Sequence, residues 1–207
     1  MKRVMADEAG MEAAVAALQR EAVVAYPTET VYGLGVNPFS ETALDALFAV
    51  KEREPDRPVL LVVDALSDVE RHVVAISDAA RTCMEAFWPG PLSLLLHAVP
   101  DTPGRLTDPN GYLCVRCSEH PVARTLCRAW GGPITSTSAN LSGHPPARTA
   151  EDAALPGVAL VLDAGPLTAL PPSTVFNPET GQILRAGPIT EAMLLEAGVA
   201  VRGASDQ

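Results

Sequence analysis

Three short segments hold the residues of this chain whose types and spacing could do chemistry. The first, Tyr26-Pro27-Thr28-Glu29-Thr30-Val31-Tyr32-Gly33-Leu34-Gly35, follows an apolar run and gathers two threonines, a carboxylate and two glycines into one turn region. Hydroxyls beside glycines let a backbone approach a small polar ligand, although an ordinary strand-to-loop turn has the same composition. The second, Lys51-Glu52-Arg53-Glu54-Pro55-Asp56-Arg57-Pro58, ends a helical pattern capped by Ser40, and helical spacing puts Lys51 on the inward stripe of Leu44, Leu47 and Phe48. Two explanations fit a cation there. Either it complements the negative end of the helix dipole, or Lys51, Arg53 and Arg57 neutralise the oxygens of a triphosphate. The third segment, Thr135-Ser136-Thr137-Ser138-Ala139-Asn140-Leu141-Ser142-Gly143, offers hydroxyls and one amide directly after a strand-like Pro133-Ile134. Such groups hold phosphate or carboxylate oxygens through neutral hydrogen bonds, or simply turn the chain. Arg148 adds a cation that could serve the same ligand.

Other chemistries lack their signatures. There is no GxxxxGK[ST] loop, no GxGxxG after a strand, no GxSxG elbow and no HExxH pair, and His72, His97, His120 and His144 are scattered. Cys114 and Cys117 have no second pair at zinc spacing. Lying three apart in a strand-like run, they face opposite ways and read as reduced structural thiols. A net charge of -10 and 4% aromatic residues oppose broad adhesion to RNA, while leaving room for a local basic cleft.

The elements that must position these residues alternate. Strand-like runs are expected at 23–26, 59–63, 92–97, 113–116, 134–136, 159–163, 174–176 and 183–185, with a helix over 77–88 stopped by Pro89-Gly90-Pro91. Interleaved strands and helices in 207 residues, with 47% hydrophobic and 19% charged residues, predict a single α/β domain over 1–207 around a mixed sheet. The small polar tail, 203–207, is expected to fray. Two acids near the N-terminus and the lack of a long apolar run predict a cytoplasmic protein with no membrane contact.

Taken together, Pro27 to Gly35, Lys51-x-Arg53 and Ser138-Ala139-Asn140-Leu141-Ser142-Gly143 resemble the YrdC family, in its threonylcarbamoyl-AMP synthase branch, from about Val23 to Ile189. The resemblance implies an open twisted mixed α/β sheet with helices around a large concave site, in the short single-domain form. It also implies the first step of making N6-threonylcarbamoyladenosine in tRNA: L-threonine, bicarbonate or CO2, and ATP give threonylcarbamoyl-AMP and pyrophosphate, a nucleotidyl transfer. Carried over by motif, Thr30, Arg116, Ser138 and Ser173 would hold threonine. Lys51, Arg53, Arg57, Asn140, Arg148 and Arg185 would hold ATP, with Lys51 and Arg53 the catalytic cations. Mg2+ is expected to accompany ATP, with no protein metal site, and a downstream threonylcarbamoyl transferase machinery would receive the product. Tyr112 and Val62 depart from the family pattern and receive no ligand role. The rivals are a YrdC-like paralogue without this activity and an RNA-binding module, which would show as salt-dependent RNA or tRNA contact.

Overall fold

The computed structural model describes residues 1–52, 58–141, 143–168 and 170–202. In chain order its elements are β1 (Lys2–Met5), α1 (Glu8–Gln19), β2 (Val23–Pro27), β3 (Tyr32–Gly35), α2 (Glu41–Lys51), β4 (Leu60–Val63), α3 (Leu66–Glu70), α4 (Asp78–Phe87) and β5 (Leu92–His97). There follow β6 (Tyr112–Cys117), α5 (Pro121–Trp130), β7 (Ile134–Ser138), β8 (Val158–Asp163), β9 (Thr174–Asn177), β10 (Gln182–Arg185) and α6 (Glu191–Glu196). Among the described residues the strands form one mixed ten-stranded sheet, ordered β1-β8-β2-β3-β7-β4-β6-β5-β9-β10.

Strand alternation divides the side chains between two faces. One face carries Val23, Ala25, Leu34, Leu61, Val63, Leu94, Val115 and Phe176 into a core shared with Leu44 and Leu47 of α2 and Ala80 and Cys83 of α4. The other face is covered only in part. There α1 and α5 lay Ala14, Leu18, Ala123 and Leu126 over Val24, Tyr26, Val62, Ile134 and Leu160. Local signals agree with these packings. Ser40 and Ser77 cap α2 and α4 by accepting from Ala43 N and Ala80 N, and His120 caps α5 just before Pro121. Val62 therefore lies in apolar packing, and Tyr112 stacks on His97 and donates to Glu179 Oε2 at 2.9 Å.

The sequence reading needs two corrections here. Residues 26–35, expected as one turn region, are a hairpin in which β2 and β3 pair antiparallel, Tyr26 opposite Gly33 and Val24 opposite Gly35. Glycine is required because a Cβ on Gly35 would lie 2.7 Å from the Tyr26 ring and 3.0 Å from Thr135 O, while one on Gly33 would lie 2.9 Å from Ser136 Oγ. Strand β1, parallel to β8 at the sheet edge, was not expected. The tail 203–207 lies outside the described residues.

Candidate functional site

Beyond α1 and α5 the second face of the sheet opens into a cleft of about 560 Å3. Strand β7 crosses the boundary: Ile134 enters the helix-covered core, while Ser136 and Ser138 line the cleft. Strand β6 supplies Cys114 and Arg116 by the same alternation that buries Leu113, Val115 and Cys117 on the opposite face. The two cysteines thus diverge as their spacing predicts, and Cys83, Cys114, Cys117 and Cys127 are all free thiols. Burial pushes the Cys114 thiol up to about 11, so it stays protonated at neutral pH.

Arg116 anchors one wall. Its side chain is 5% exposed, and Nη2 lies 3.2 Å from Oε2 of Glu29, itself 6% exposed. Ser118 Oγ donates a hydrogen bond to the same carboxylate oxygen. Among the described residues, Arg116 Nε and Glu29 Oε1 are buried without a partner. Thr28 and Thr30 share a hydroxyl contact of 3.1 Å, and Thr28 also donates to Val31 O, which fixes the turn. On the opposite wall Arg185 donates from Nε to Ser173 O and from Nη2 to Ser173 Oγ, both at 3.0 Å. Ser173 Oγ also meets the buried Ser93 Oγ at 2.9 Å. Burial, together with the like charge of Arg116, lowers the Arg185 guanidinium from its ordinary value. Two guanidiniums of like charge lining one cleft together with hydroxyls form a site that a bound anion would complete.

All four residues expected to hold threonine, Thr30, Arg116, Ser138 and Ser173, line this one cleft. The set expected to hold ATP is dispersed. Arg185 shares the cleft, whereas Asn140 lines a neighbouring depression of about 370 Å3, and Arg148 is half-buried in the wall of neither. Lys51 is 3% exposed on the inward face, where the helical stripe predicts it. Its ammonium donates to Ser138 O at 2.5 Å, Asn140 O at 2.7 Å and Asn140 Oδ1 at 3.0 Å, binding the second motif to the third. A cation that merely complemented its own helix end would not reach across to the β7 turn. Arg53 and Arg57 lie outside the described residues.

Sequence reasoning named Glu29 only as the carboxylate of the first segment and did not single out Ser118 or Ser93, although these residues stand behind the lining side chains Arg116 and Ser173. Continued alternation from Cys114 through Arg116 would have found Ser118, but no local signal pairs Glu29 with an arginine 87 positions away.

A mixed α/β sheet whose open part carries a recessed cleft lined by hydroxyls and guanidiniums is an architecture suited to small anionic molecules. The model of the Sua5, YciO and YrdC family, described as "Telomere recombination", matches residues 16–187, and the chain belongs to that family. It is 41% identical over 177 residues to the threonylcarbamoyl-AMP synthase of Sodalis glossinidius, covering 84% of this chain and 93% of that one. It is 40% identical over 180 residues to the synthase of Xanthomonas campestris, covering 84% and 96%. Among solved structures, P. abyssi Sua5 complexed with L-threonine superposes with a TM-score of 0.89 at 29% identity. That match covers 97% of this chain, which spans 61% of the longer Sua5. YciO of E. coli, at 23% identity and a TM-score of 0.79 over 90% of this chain and 95% of its own, shares the fold.

Proposed function

We infer that this chain is an L-threonylcarbamoyladenylate synthase, which forms threonylcarbamoyl-AMP and pyrophosphate from L-threonine, bicarbonate or CO2, and ATP. Membership of the family and about 40% identity to curated synthases over most of the chain support this reading. The observation that carries it is the single cleft that gathers Thr30, Arg116, Ser138 and Ser173 with Arg185. This constellation suits an amino acid's carboxylate and hydroxyl beside a phosphate.

The reaction is a nucleotidyl transfer. Threonine's amine adds to CO2 and sheds a proton to solvent, giving a carbamate. A carbamate oxygen then bonds to the α-phosphorus of ATP as the bond to the leaving pyrophosphate breaks. The protein's work is to align two anions and offset their charge. In our reading Arg116 takes the threonine carboxylate, and Thr30, Ser138 and Ser173 its remaining polar atoms. Lys51, Arg53, Arg57, Asn140, Arg148 and Arg185 serve ATP. Lys51 acts partly through the turn it holds, since its donors already reach Ser138 and Asn140.

Among the described residues no group of three or more His, Cys, Asp or Glu side chains could hold a metal. These residues do not build a cage for Mg2+, which is proposed to travel with the phosphates of ATP, and no step is routed through it. Among the described residues no helix is long and apolar enough to cross a membrane. We place the enzyme in the cytoplasm, handing its adenylate to the machinery that transfers threonylcarbamoyl to tRNA.

The test is pyrophosphate release with each substrate omitted in turn. Release should require ATP, threonine and bicarbonate together, and equal release with ATP alone would overturn the reading.

A further inference from the structure

Glu29 is a buried carboxylate that the mechanism above does not use. It stands in the β2–β3 turn between two threonines of the cleft wall, yet its own side chain lies behind that wall and touches the strand that carries Arg116. Its Oε2 receives Arg116 Nη2 and Ser118 Oγ. Ser118 Oγ in turn accepts from His120 N at the start of α5. One carboxylate therefore joins the hairpin turn, the end of β6 and the helix that covers the neighbouring part of the sheet. A guanidinium that is 5% exposed must have a partner to stay charged without great cost, and a partner fixed on three elements also fixes the plane of the fork. Arg116 Nε, buried and without a partner among the described residues, is a donor left over on the same group.

We propose that Glu29 is a positioning residue that holds the guanidinium of Arg116 in the orientation that receives the amino acid's carboxylate, with Ser118 setting the carboxylate in turn. This rests on the reading that Arg116 binds threonine. Glu29 works chiefly on threonine and changes ATP binding little, because its contacts reach Arg116 and Ser118, whereas Lys51 is held by Ser138 and Asn140 and Arg185 by Ser173. A carboxylate needed only to keep the fold together would instead weaken both substrates alike.

The test is calorimetric affinity for L-threonine and, separately, for ATP with Mg2+, on Glu29→Gln, Ser118→Ala, Arg116→Ala and the Glu29→Gln/Arg116→Ala double variant, each with a thermal melt. Glu29→Gln keeps the shape and removes the charge, and threonine affinity should fall about 10-fold, with ATP affinity within about twofold of the parent. Ser118→Ala should weaken threonine about threefold. The double variant should bind threonine no worse than Arg116→Ala alone, because Glu29 acts through the arginine. Unchanged threonine affinity in Glu29→Gln, an equal loss for ATP, or a further loss in the double variant overturns the proposal. If Glu29→Gln fails to fold, Ser118→Ala decides by the same threonine criterion. If Arg116→Ala itself leaves threonine affinity intact, the fault lies with the reading of Arg116 and both fall together.

Discussion

Strand β7 passes from one kind of surface to another within five residues, and the contrast explains how the sheet does two jobs. At Ile134 the strand joins the same buried cluster as Ala123, Leu126 and Cys127 of α5, where every side chain is apolar or nearly so. At Ser136 and Ser138 the helices have ended and the same face carries hydroxyls, two guanidiniums and a recessed thiol. In the covered part the energy comes from area removed from water, which is indifferent to direction. In the open part it comes from directed hydrogen bonds among groups that are costly to leave unpaired. Stability and chemistry thus divide along the strand, and substitutions on either side should fall into different assays.

The largest effect belongs to the covered side. Leu126→Ala should cost about 2–5 kcal/mol in urea unfolding through lost packing and the cavity left behind, while the folded variant keeps substrate affinities within about twofold. A matching loss of threonine affinity would show that the two regions are not separable.

Lys51 stands between the regions. Lys51→Met should lower turnover about 100-fold and also cost about 1–3 kcal/mol in stability, because it strands the acceptors at Ser138 and Asn140. Pyrophosphate release near the parent rate would remove Lys51 from the phosphate cradle and leave it a structural tie.

On the open side, Ser173→Ala deletes the hydroxyl that Ser93 and Arg185 share. It should raise the KM for threonine about 10-fold and change stability by about 1 kcal/mol or less. A melting shift as large as that of Leu126→Ala would contradict the division.

The smallest effect is on thiol titration. Cys114 in the cleft and Cys117 in the core are both pushed up to about 11 from 9.0, mainly by burial. Raised values mean that their contribution to stability is complete below pH 9 and is lost as pH climbs toward 11, because the unfolded chain ionises first. Stability measured between pH 8 and 11 should fall accordingly. At pH 8 alkylation should reach Cys114 before Cys117, with threonine and ATP protecting only the first.

Much of this was readable before any coordinates. Strand-like runs located β5 and β6, alternation separated Cys114 from Cys117, and the Ser40 cap with its apolar stripe placed Lys51 inside the fold, whereas Arg116 was singled out by the family resemblance. Strand β3 was hidden because Tyr32-Gly33-Leu34-Gly35 has glycines where strands prefer branched residues, and only the ring of Tyr26 across the hairpin explains them. Strand β1 was hidden because Lys2 and Arg3, both exposed at a sheet edge, give no alternation. The three motifs were legible, but their partners were not. Glu29 with Arg116 and Ser93 with Ser173 are separated by 87 and 80 positions, and contacts of that span leave no local trace.

Strand β10, which carries Arg185, is the last strand in sequence among the described residues and the outermost on its side of the sheet. It pairs with β9, which must itself find β5 far upstream before Ser173 and Ser93 can meet. A chain emerging from the ribosome therefore has no finished cleft until β10 has docked, and closures of such span are slow. Whatever binds only the finished cleft removes the chain from the pool still exposed to proteases, by about 2.7 kcal/mol when the ligand stands at a hundred times its Kd. On the function proposed above those ligands are threonine and ATP, so starvation for either should lower the amount of the protein as well as its output.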